Sequence, residues 1–186
     1  CYSYCYIDYY MKLLTTKQAY ELENKSIEEI PISSEKLMKN AGESVAIKAM
    51  DMIKNIDDAI ILIICGKGNN GGDGFATGIA LLRNNFRVII HSISADNSIF
   101  GDSLNYHDKC KSLKIPITYG IKIPQFEKPD LIIDGLLGIG LKGQIRKEIL
   151  YWIDWINNSK AKILSIDIPS GLNGSSGIVS PESVKA

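Results

Sequence analysis

The stretch that decides the fold runs Ala59-Ile60-Ile61-Leu62-Ile63-Ile64 and continues directly into Cys65-Gly66-Lys67-Gly68-Asn69-Asn70-Gly71-Gly72-Asp73-Gly74. Its first half is continuously apolar and has the length of a strand buried on both faces. Its second half places five glycines in the nine positions from 66 to 74. Glycine lets the backbone adopt positive φ and approach a ligand closely, so this density indicates a binding loop. A glycine-rich surface turn is the alternative.

A helix should follow this glycine loop. Phe75, Ile79 and Leu82 recur at helical spacing, with alanines between them. We therefore expect the helix to begin near Asp73. The first N–H groups of a helix have no partner within it and lie at the positive end of the helix dipole. A strand, a glycine loop and a helix start in this order predict a seat for an anion or a nucleotide.

The remainder of the chain alternates short apolar runs with helical patterns. The predicted strands are residues 59–64, 88–93, 131–133 and 163–168, with a weaker one at 115–119. The predicted helices between them are residues 73–83, 102–113 and 144–157. Apolar strands joined by helices are typical of a parallel sheet covered on both faces. We predict a doubly wound α/β fold with a mostly parallel sheet, a Rossmann-like three-layer arrangement.

Two helices should precede this sheet as an N-terminal helical pair. Thr15 with Gln18 forms a capping box that opens the first, through about residue 29, and Pro31 ends it. Ser33 or Ser34 caps the second. The apolar face predicted for the second helix consists of Leu37, Ala41, Val45, Ala49 and Met52.

Composition excludes several classes of protein. Lys plus Arg and Asp plus Glu number 21 each, so no net field attracts nucleic acid or an anionic membrane. The longest apolar run is far shorter than the roughly 20 residues that span a bilayer. The four cysteines lack the spacing of a metal site or a disulfide framework. These features favour a cytoplasmic protein, or an organelle-matrix protein in a eukaryote.

The two ends of the chain differ from its middle. Residues 1–10 hold five of the nine tyrosines and no basic residue, so we expect an extraneous or disordered leader before a domain of residues 11–186. The sequence Val184-Lys185-Ala186 carries no signal that ends a helix or a strand, and we expect a domain truncated there.

Polar residues follow three of the predicted strands. Asn69, Asn70 and Asp73 follow the first, Asp134 opens the glycine-rich stretch 135–144, and Asp167-Ile168-Pro169-Ser170 follows the last. The carboxyl ends of parallel strands meet at one edge, where ligands bind. The oxygen atoms of these polar side chains suit an alkali cation better than zinc. The alternative is that Asp134 and Asp167 cap the turns that follow them.

Other motifs carry less weight. Gly66-x-Gly68-x-x-Gly71 matches the glycine fingerprint of dinucleotide-binding proteins, but the negative charge of Asp73 would repel the phosphates. The acidic residue that binds the ribose in such proteins would have to be Asp96, which lies farther along the chain than the usual spacing of about 20 residues. Both histidines, His91 in a strand and His107 in a helix, are interpreted as structural.

Four blocks together resemble the NAD(P)H-hydrate epimerase family, the YjeF N-terminal domain. They are 37–42 (Leu-Met-Lys-Asn-Ala-Gly), 69–74 (Asn-Asn-Gly-Gly-Asp-Gly), 134–141 (Asp-Gly-Leu-Leu-Gly-Ile-Gly-Leu) and 167–172 (Asp-Ile-Pro-Ser-Gly-Leu). The resemblance covers residues 11 to about 184. Ile139 departs from it, because the family often has threonine there.

The resemblance implies an isomerase that interconverts the R and S hydrates of NADH and NADPH (NADHX and NADPHX) for repair by a dehydratase. It implies one potassium ion per subunit, held by Asn70, Asp134 and Ser170, and leaves a homodimer open. The residues that would line the hydrated dinucleotide are Asn69, Asn70, Gly71, Gly72, Asp73, Gly138, Ile139, Gly140, Leu141, Lys142, Gly143, Gln144 and Asp167.

We expect Asp167 to be the catalytic acid and base. Its carboxylate could also stabilise the positive charge that the nicotinamide ring carries in an iminium-like intermediate. Lys142 is the weaker candidate and better suited to a phosphate. Two other functions stay open: a non-catalytic binding or scaffold module of the same fold, and a dinucleotide-dependent oxidoreductase.

Overall fold

A five-stranded, entirely parallel sheet forms the middle layer of the protein. The structure is a computed structural model that describes residues 14–29, 32–140, 144–179 and 181–186. In chain order the elements are α1 (Thr16–Glu29), α2 (Ser34–Ile53), β1 (Ile60–Cys65), α3 (Asn69–Arg83), β2 (Arg87–Ser92), a 3-10 turn (Asp96–Ser98), α4 (Gly101–Ser112), β3 (Ile117–Tyr119), β4 (Leu131–Gly135), α5 (Lys147–Asn157) and β5 (Lys162–Ser165).

The strand order is β3-β2-β1-β4-β5, so β1 lies in the centre between β2 and β4. All six residues of β1 are buried, as expected for a strand covered on both faces. Alternate side chains enter two cores. Ile61 and Ile63 pack towards α2, α3 and α4, while Leu62 and Ile64 pack towards Trp152 of α5. The prediction of a doubly wound parallel α/β fold is confirmed.

Helix α2 crosses α3 at very short range. Ser33 caps α2 as predicted, because its Oγ accepts a hydrogen bond from Lys36 N at 3.2 Å. A Cβ on Gly42 would lie 2.6 Å from the Cβ of Ala76, so only glycine allows this crossing. The predicted buried face was wrong by one residue for most positions: the buried residues are Met38, Gly42, Ala46, Ala49 and Ile53. The contact with α3 selects this face, and Gly42 has no hydrophobic side chain to reveal it.

Helix α1 begins with the predicted capping box. Thr15 N donates to Gln18 Oε1 at 2.9 Å, and Gln18 N donates back to Thr15 Oγ1 at 3.3 Å. The Thr16 hydroxyl is hydrogen-bonded to that of Ser175, which connects α1 to a turn near the end of the chain. Among the described helices none is long and apolar enough to cross a membrane.

Three predicted boundaries were wrong by three residues or more. Helix α3 begins at Asn69 rather than Asp73, because Gly68 is extended and the chain turns helical inside the glycine loop. Helix α5 begins at Lys147, after an extended Arg146. Strand β5 ends at Ser165, before Pro169, which has no N–H to donate. The predicted leader at residues 1–10, Pro31 and residues 141–143 lie outside the described residues.

Candidate active site at the carboxyl edge of the sheet

A buried carboxylate lies at the end of the central strand pair. Asp134 in β4 is fully buried and accepts four hydrogen bonds. Its Oδ1 accepts from Leu136 N at 3.2 Å and from the Ser170 hydroxyl at 2.6 Å. Its Oδ2 accepts from Ser170 N and from the Ser165 hydroxyl, both at 2.9 Å. Burial raises the pKa of Asp134, and these hydrogen bonds oppose that shift.

Ser170 connects this carboxylate to the loop that follows β4. Its Oγ donates to Asp134 and accepts from Leu137 N at 2.9 Å. The next residue, Gly171, has φ +101°, and a Cβ there would lie 2.1 Å from the carbonyl oxygen of Glu182. Glycine is therefore required at this position, which fixes the direction of the Ser170 side chain.

A clamp holds the Ser170 turn from behind. Val184 is buried and its N–H donates to Ser170 O at 2.9 Å. On either side of Val184, the side chain of Asn157 donates to Ser183 O at 2.9 Å and accepts from Lys185 N at 2.8 Å. The end of α5 is thereby connected to the candidate site. We call these contacts the Asn157 clamp.

Asn70 reaches the same point from the opposite side. It lies in the first turn of α3 and its Nδ2 donates to Leu137 O at 2.9 Å. The Ser170 hydroxyl lies 3.1 Å from the same carbonyl oxygen. Asn70 Oδ1 is buried and has no hydrogen-bond partner within the described residues. The three predicted cation ligands, Asn70, Asp134 and Ser170, are therefore brought together around Leu137.

Asp167 stands in front of this cluster. Its side chain is on the exposed rim, and its Oδ2 accepts a hydrogen bond from Ile139 N at 2.7 Å. Gly138 lies between it and Asn70, because a Cβ on Gly138 would meet Asp167 Oδ2 at 2.7 Å and the Asn70 side chain at 3.4 Å. This hydrogen bond uses Oδ2, and no donor among the described residues contacts Oδ1 of Asp167.

The glycine loop packs closely against the ends of the strands. None of its five glycines has positive φ. A Cβ on Gly71 would lie 1.9 Å from Gly66 O, one on Gly66 would lie 2.1 Å from Leu136 O, and one on Gly74 would lie 2.7 Å from Cys65 Sγ. Only Gly68 faces open space. Most of the glycines therefore let α3 pack against the strand ends, and the binding role predicted for the loop stays a prediction.

Gly72 packs against two other helices. It is buried, its N–H donates to Gly68 O at 3.1 Å, and a Cβ on it would meet Met38 and the Ser103 hydroxyl. Its Cα therefore faces α2 and α4 and not the rim. A side chain at position 72 would therefore point away from the rim, and the expectation that the Gly72 backbone lines the dinucleotide stays a prediction.

The remaining predicted residues lie as follows. Asn69 is exposed at the start of α3 beside Gly71, and Asp73 is half-buried in its second turn, where its carbonyl oxygen accepts from Thr77 Oγ1 at 2.7 Å. Gly140 and Gln144 are exposed. Leu141, Lys142 and Gly143 lie outside the described residues.

Sequence reasoning missed two parts of the site. Ser165 donates to Asp134, and the carbonyl oxygen of Leu137 accepts from Asn70. A serine inside an otherwise apolar strand was the available signal for Ser165. The role of the Leu137 backbone leaves no mark on residue type.

Both histidines have structural partners. His91 is buried, its Nε2 donates to Gly120 O and its Nδ1 is paired with the Thr118 hydroxyl, each at 2.8 Å. His107 is buried and its Nε2 lies 2.7 Å from the Tyr119 hydroxyl.

The fold defines a parallel α/β protein, a class in which ligands bind at the carboxyl ends of the strands, where this polar edge lies. The family model described as YjeF-related protein N-terminus matches residues 34–186. The chain belongs to this family.

Several proteins of known function are similar to this chain in sequence. The chain is 35% identical over 173 residues to the NAD(P)H-hydrate epimerase of Lentilactobacillus buchneri, covering 93% of this chain and 79% of that protein. It is 33% identical to the enzyme of the same name from Nitrosopumilus maritimus, covering 88% and 77%. It is also 33% identical to the bifunctional NAD(P)H-hydrate repair enzyme Nnr of Dictyoglomus turgidum, covering 95% of this chain but 34% of that one.

Among solved structures, the yeast protein ynu0 superposes with a TM-score of 0.82 at 21% identity. The match covers 94% of this chain and 77% of the yeast protein. At this identity the likeness concerns the fold.

Proposed function

We propose that this chain is an NAD(P)H-hydrate epimerase, an isomerase that interconverts the R and S forms of hydrated NADH and NADPH. One observation carries the proposal: an exposed carboxylate, Asp167, is anchored by Ile139 N–H directly in front of the buried Asp134–Ser170–Asn70 cluster. Two relatives with this name, at 35% and 33% identity over most of both chains, support it.

The start of α3 supports a seat for the pyrophosphate. The first N–H groups of a helix have no partner within it, and here they follow Gly68, which faces open space. Asn69 is exposed at this point. The backbone can therefore bind phosphate oxygens without a basic side chain.

Asp167 would move the proton in the reaction. The ring nitrogen lone pair expels the C6 hydroxyl, and the protonated Asp167 supplies the proton that makes it leave as water. The resulting iminium is planar at C6, and the Asp167 carboxylate stabilises its charge. Water then adds to the opposite face, and its proton returns through solvent to the exposed Asp167, which completes the exchange of R and S forms.

A potassium ion fits the residues behind Asp167. Asn70 Oδ1 is a buried oxygen without a hydrogen-bond partner in the described part of the chain. Asn70 Nδ2 and the Ser170 hydroxyl both contact the Leu137 carbonyl oxygen, and that hydroxyl is also bonded to Asp134. One carboxylate with neutral oxygens suits an alkali ion. When bound, the ion would supply a positive charge that offsets carboxylates close to the substrate phosphates.

The proposal includes the setting in which the enzyme works. The proposed functional partner is a dehydratase. Relatives named bifunctional NAD(P)H-hydrate repair enzymes match this chain over only about a third of their own length, so the rest of each protein can hold a second activity. Free, buried Cys65 and Cys110 are consistent with a reducing cytoplasm or organelle matrix. The proposal leaves a homodimer open.

The alternatives lack a supporting observation. A scaffold module has no need of an exposed, anchored Asp167. In an oxidoreductase Asp96 would bind the ribose, but its carboxylate is engaged by Lys111 at 3.0 Å and by His107 at 3.2 Å.

The test is Asp167→Asn, assayed by NMR for conversion of R to S hydrate above the spontaneous rate. We expect the catalysed rate to fall by about 10²- to 10⁴-fold, the usual contribution of a general acid and base. Binding of the hydrated cofactor should change much less, because backbone groups hold the phosphates. Asp57→Asn, an exposed aspartate remote from the site, is the matched control.

Asp134→Asn separates the two aspartates. We expect it to lose potassium dependence and substrate affinity before maximal rate. A near-normal rate in Asp167→Asn would contradict the proposed chemistry, and loss of binding in both variants alike would show that the aspartates only organise the edge.

A further inference from the structure

A second cavity lies at the opposite edge of the sheet from the candidate active site. Its volume is about 380 Å³, and it is lined by the segments that precede β4 and β5, including Pro129 and Ala161, and by the end of α5. Since a strand rises about 3.3 Å per residue, the five residue steps from Pro129 in the cavity lining to Asp134 correspond to about 16 Å. It therefore cannot be part of the same site.

One wall of the cavity is aromatic and firmly held. Phe126 and Trp155 line it, with ring centroids 5.6 Å apart and planes at 55°. Phe126 also packs edge-on against His91 at 5.6 Å and against the buried Trp152 at 6.3 Å. A half-buried aromatic wall supported from behind suits a flat ring, because such rings pack in offset or edge-to-face contact.

The lining also contains two positively charged side chains and a buried hydroxyl. Lys128 and Lys160 line the cavity, and neither has an ion pair within the described residues. Ser159 also lines it, and its Oγ is buried without a hydrogen-bond partner in the described ranges. A buried hydroxyl in a native protein is normally hydrogen-bonded, so an unpaired one indicates a missing acceptor or donor. An anionic oxygen would satisfy the hydroxyl and both lysines.

We propose that this cavity binds a small planar aromatic anion, the ring against Phe126 and Trp155 and the anionic group among Lys128, Lys160 and Ser159. The volume is near the lower end of the roughly 300–1,000 Å³ of ligand pockets, so it admits a nucleoside monophosphate or an aromatic carboxylate and excludes a dinucleotide. This site is independent of the proposed epimerase activity.

Calorimetry and tryptophan fluorescence with AMP, adenosine, salicylate and inorganic phosphate test the proposal. We expect AMP or salicylate to bind and to quench Trp155, with adenosine and phosphate at least tenfold weaker. Lys128→Gln with Lys160→Gln should weaken binding at least tenfold, and Ser159→Ala severalfold. Lys36→Gln with Lys48→Gln removes the same charge from exposed positions of α2 and should leave binding unchanged.

The two anions distinguish the source of the ligand. AMP binding that is lost in the cavity variant identifies a nucleotide, and salicylate binding that is lost identifies an aromatic carboxylate. Binding that survives unchanged in a folded Lys128→Gln/Lys160→Gln protein would place the probe elsewhere and overturn the proposal. Equal affinity for phosphate and AMP, or no binding by either aromatic anion, would overturn it as well.

Discussion

At the scale of single residues, the candidate site depends on glycines that make room for backbone. Gly71 and Gly66 are in contact where α3 starts, so that the first turn of the helix rests on the strand end. This contact places Asn70 beside Leu137. These glycines are therefore needed for the packing that positions Asn70, whether or not their backbone also contacts a ligand.

Gly71→Ala tests this role. Helix propensity alone would favour alanine by about 1 kcal/mol. The new Cβ, however, would lie 1.9 Å from Gly66 O, a backbone atom that cannot swing away. Overpacking of this kind costs about 1–3 kcal/mol, and we expect the clash to win and the free energy of unfolding in urea to fall.

Gly68→Ser is the matched control in the same loop. Gly68 faces open space and caps α3, and serine is a good N-cap, so the free energy of unfolding should stay within about 0.5 kcal/mol of the wild type or rise slightly. A stable Gly71→Ala protein would show that the loop backbone moves freely.

Residue-level prediction succeeded where position along a strand carries the information. Asn70, Asp134, Asp167 and Ser170 were identified because each follows an apolar run, and the structure does bring them to one edge. It could not show that a side chain at Gly72 would face α2 and α4, because sequence does not tell which side of a helix a glycine faces. Their roles as ligands or catalyst stay predictions.

At the scale of elements, the strands were easier to predict than the helix starts. Buried strands of a parallel sheet are continuously apolar, and β1 and β4 appear in the sequence as such runs. Helix α3 starts among glycines, each of which disfavours helix by about 1 kcal/mol, so propensity hides its first turn. Tertiary packing overrides that preference here.

The end of α4 offers an element-scale prediction. Lys114 has φ +58°, and Ile115 N donates to Cys110 O at 3.1 Å, the geometry of a helix end that favours glycine. We expect Lys114→Gly to raise the free energy of unfolding by about 0.5–1 kcal/mol, measured by urea denaturation.

Ser112→Gly provides the opposite case two residues earlier. Ser112 is still within α4, where glycine should lower stability by a few tenths to about 1 kcal/mol. Destabilisation by both substitutions would mean that the left-handed conformation of Lys114 carries no strain.

At the scale of the whole molecule, His91 connects β2, β3 and α5. Its ring stacks on Trp152 at 4.6 Å, and its nitrogens contact Thr118 and Gly120. Burial lowers the pKa of His91 below its ordinary value near 6.5, against the opposing effect of the Gly120 carbonyl. The folded protein therefore holds the ring neutral where the unfolded chain has begun to bind a proton.

The free energy of unfolding should consequently decrease as the pH is lowered. Below about pH 6.5 the unfolded state binds the proton first, so the free energy of unfolding decreases as pH falls towards the lowered pKa. We expect His91→Gln to lose less stability than the wild type between pH 7.5 and 5.5, measured by thermal unfolding. Because both proteins keep His107, the difference isolates His91. Parallel pH profiles would contradict this assignment.

The Asn157 clamp also bears on the time the site takes to open. Residues 166–171 form no helix or strand, yet the amide of Ser170 is bonded to a buried carboxylate and the amide of Val184 is bonded to Ser170. Their hydrogens can exchange with solvent only when the clamp and the end of α5 release together. The turn that carries Ser170 thus shares the slow opening of the core, although its backbone is that of a loop.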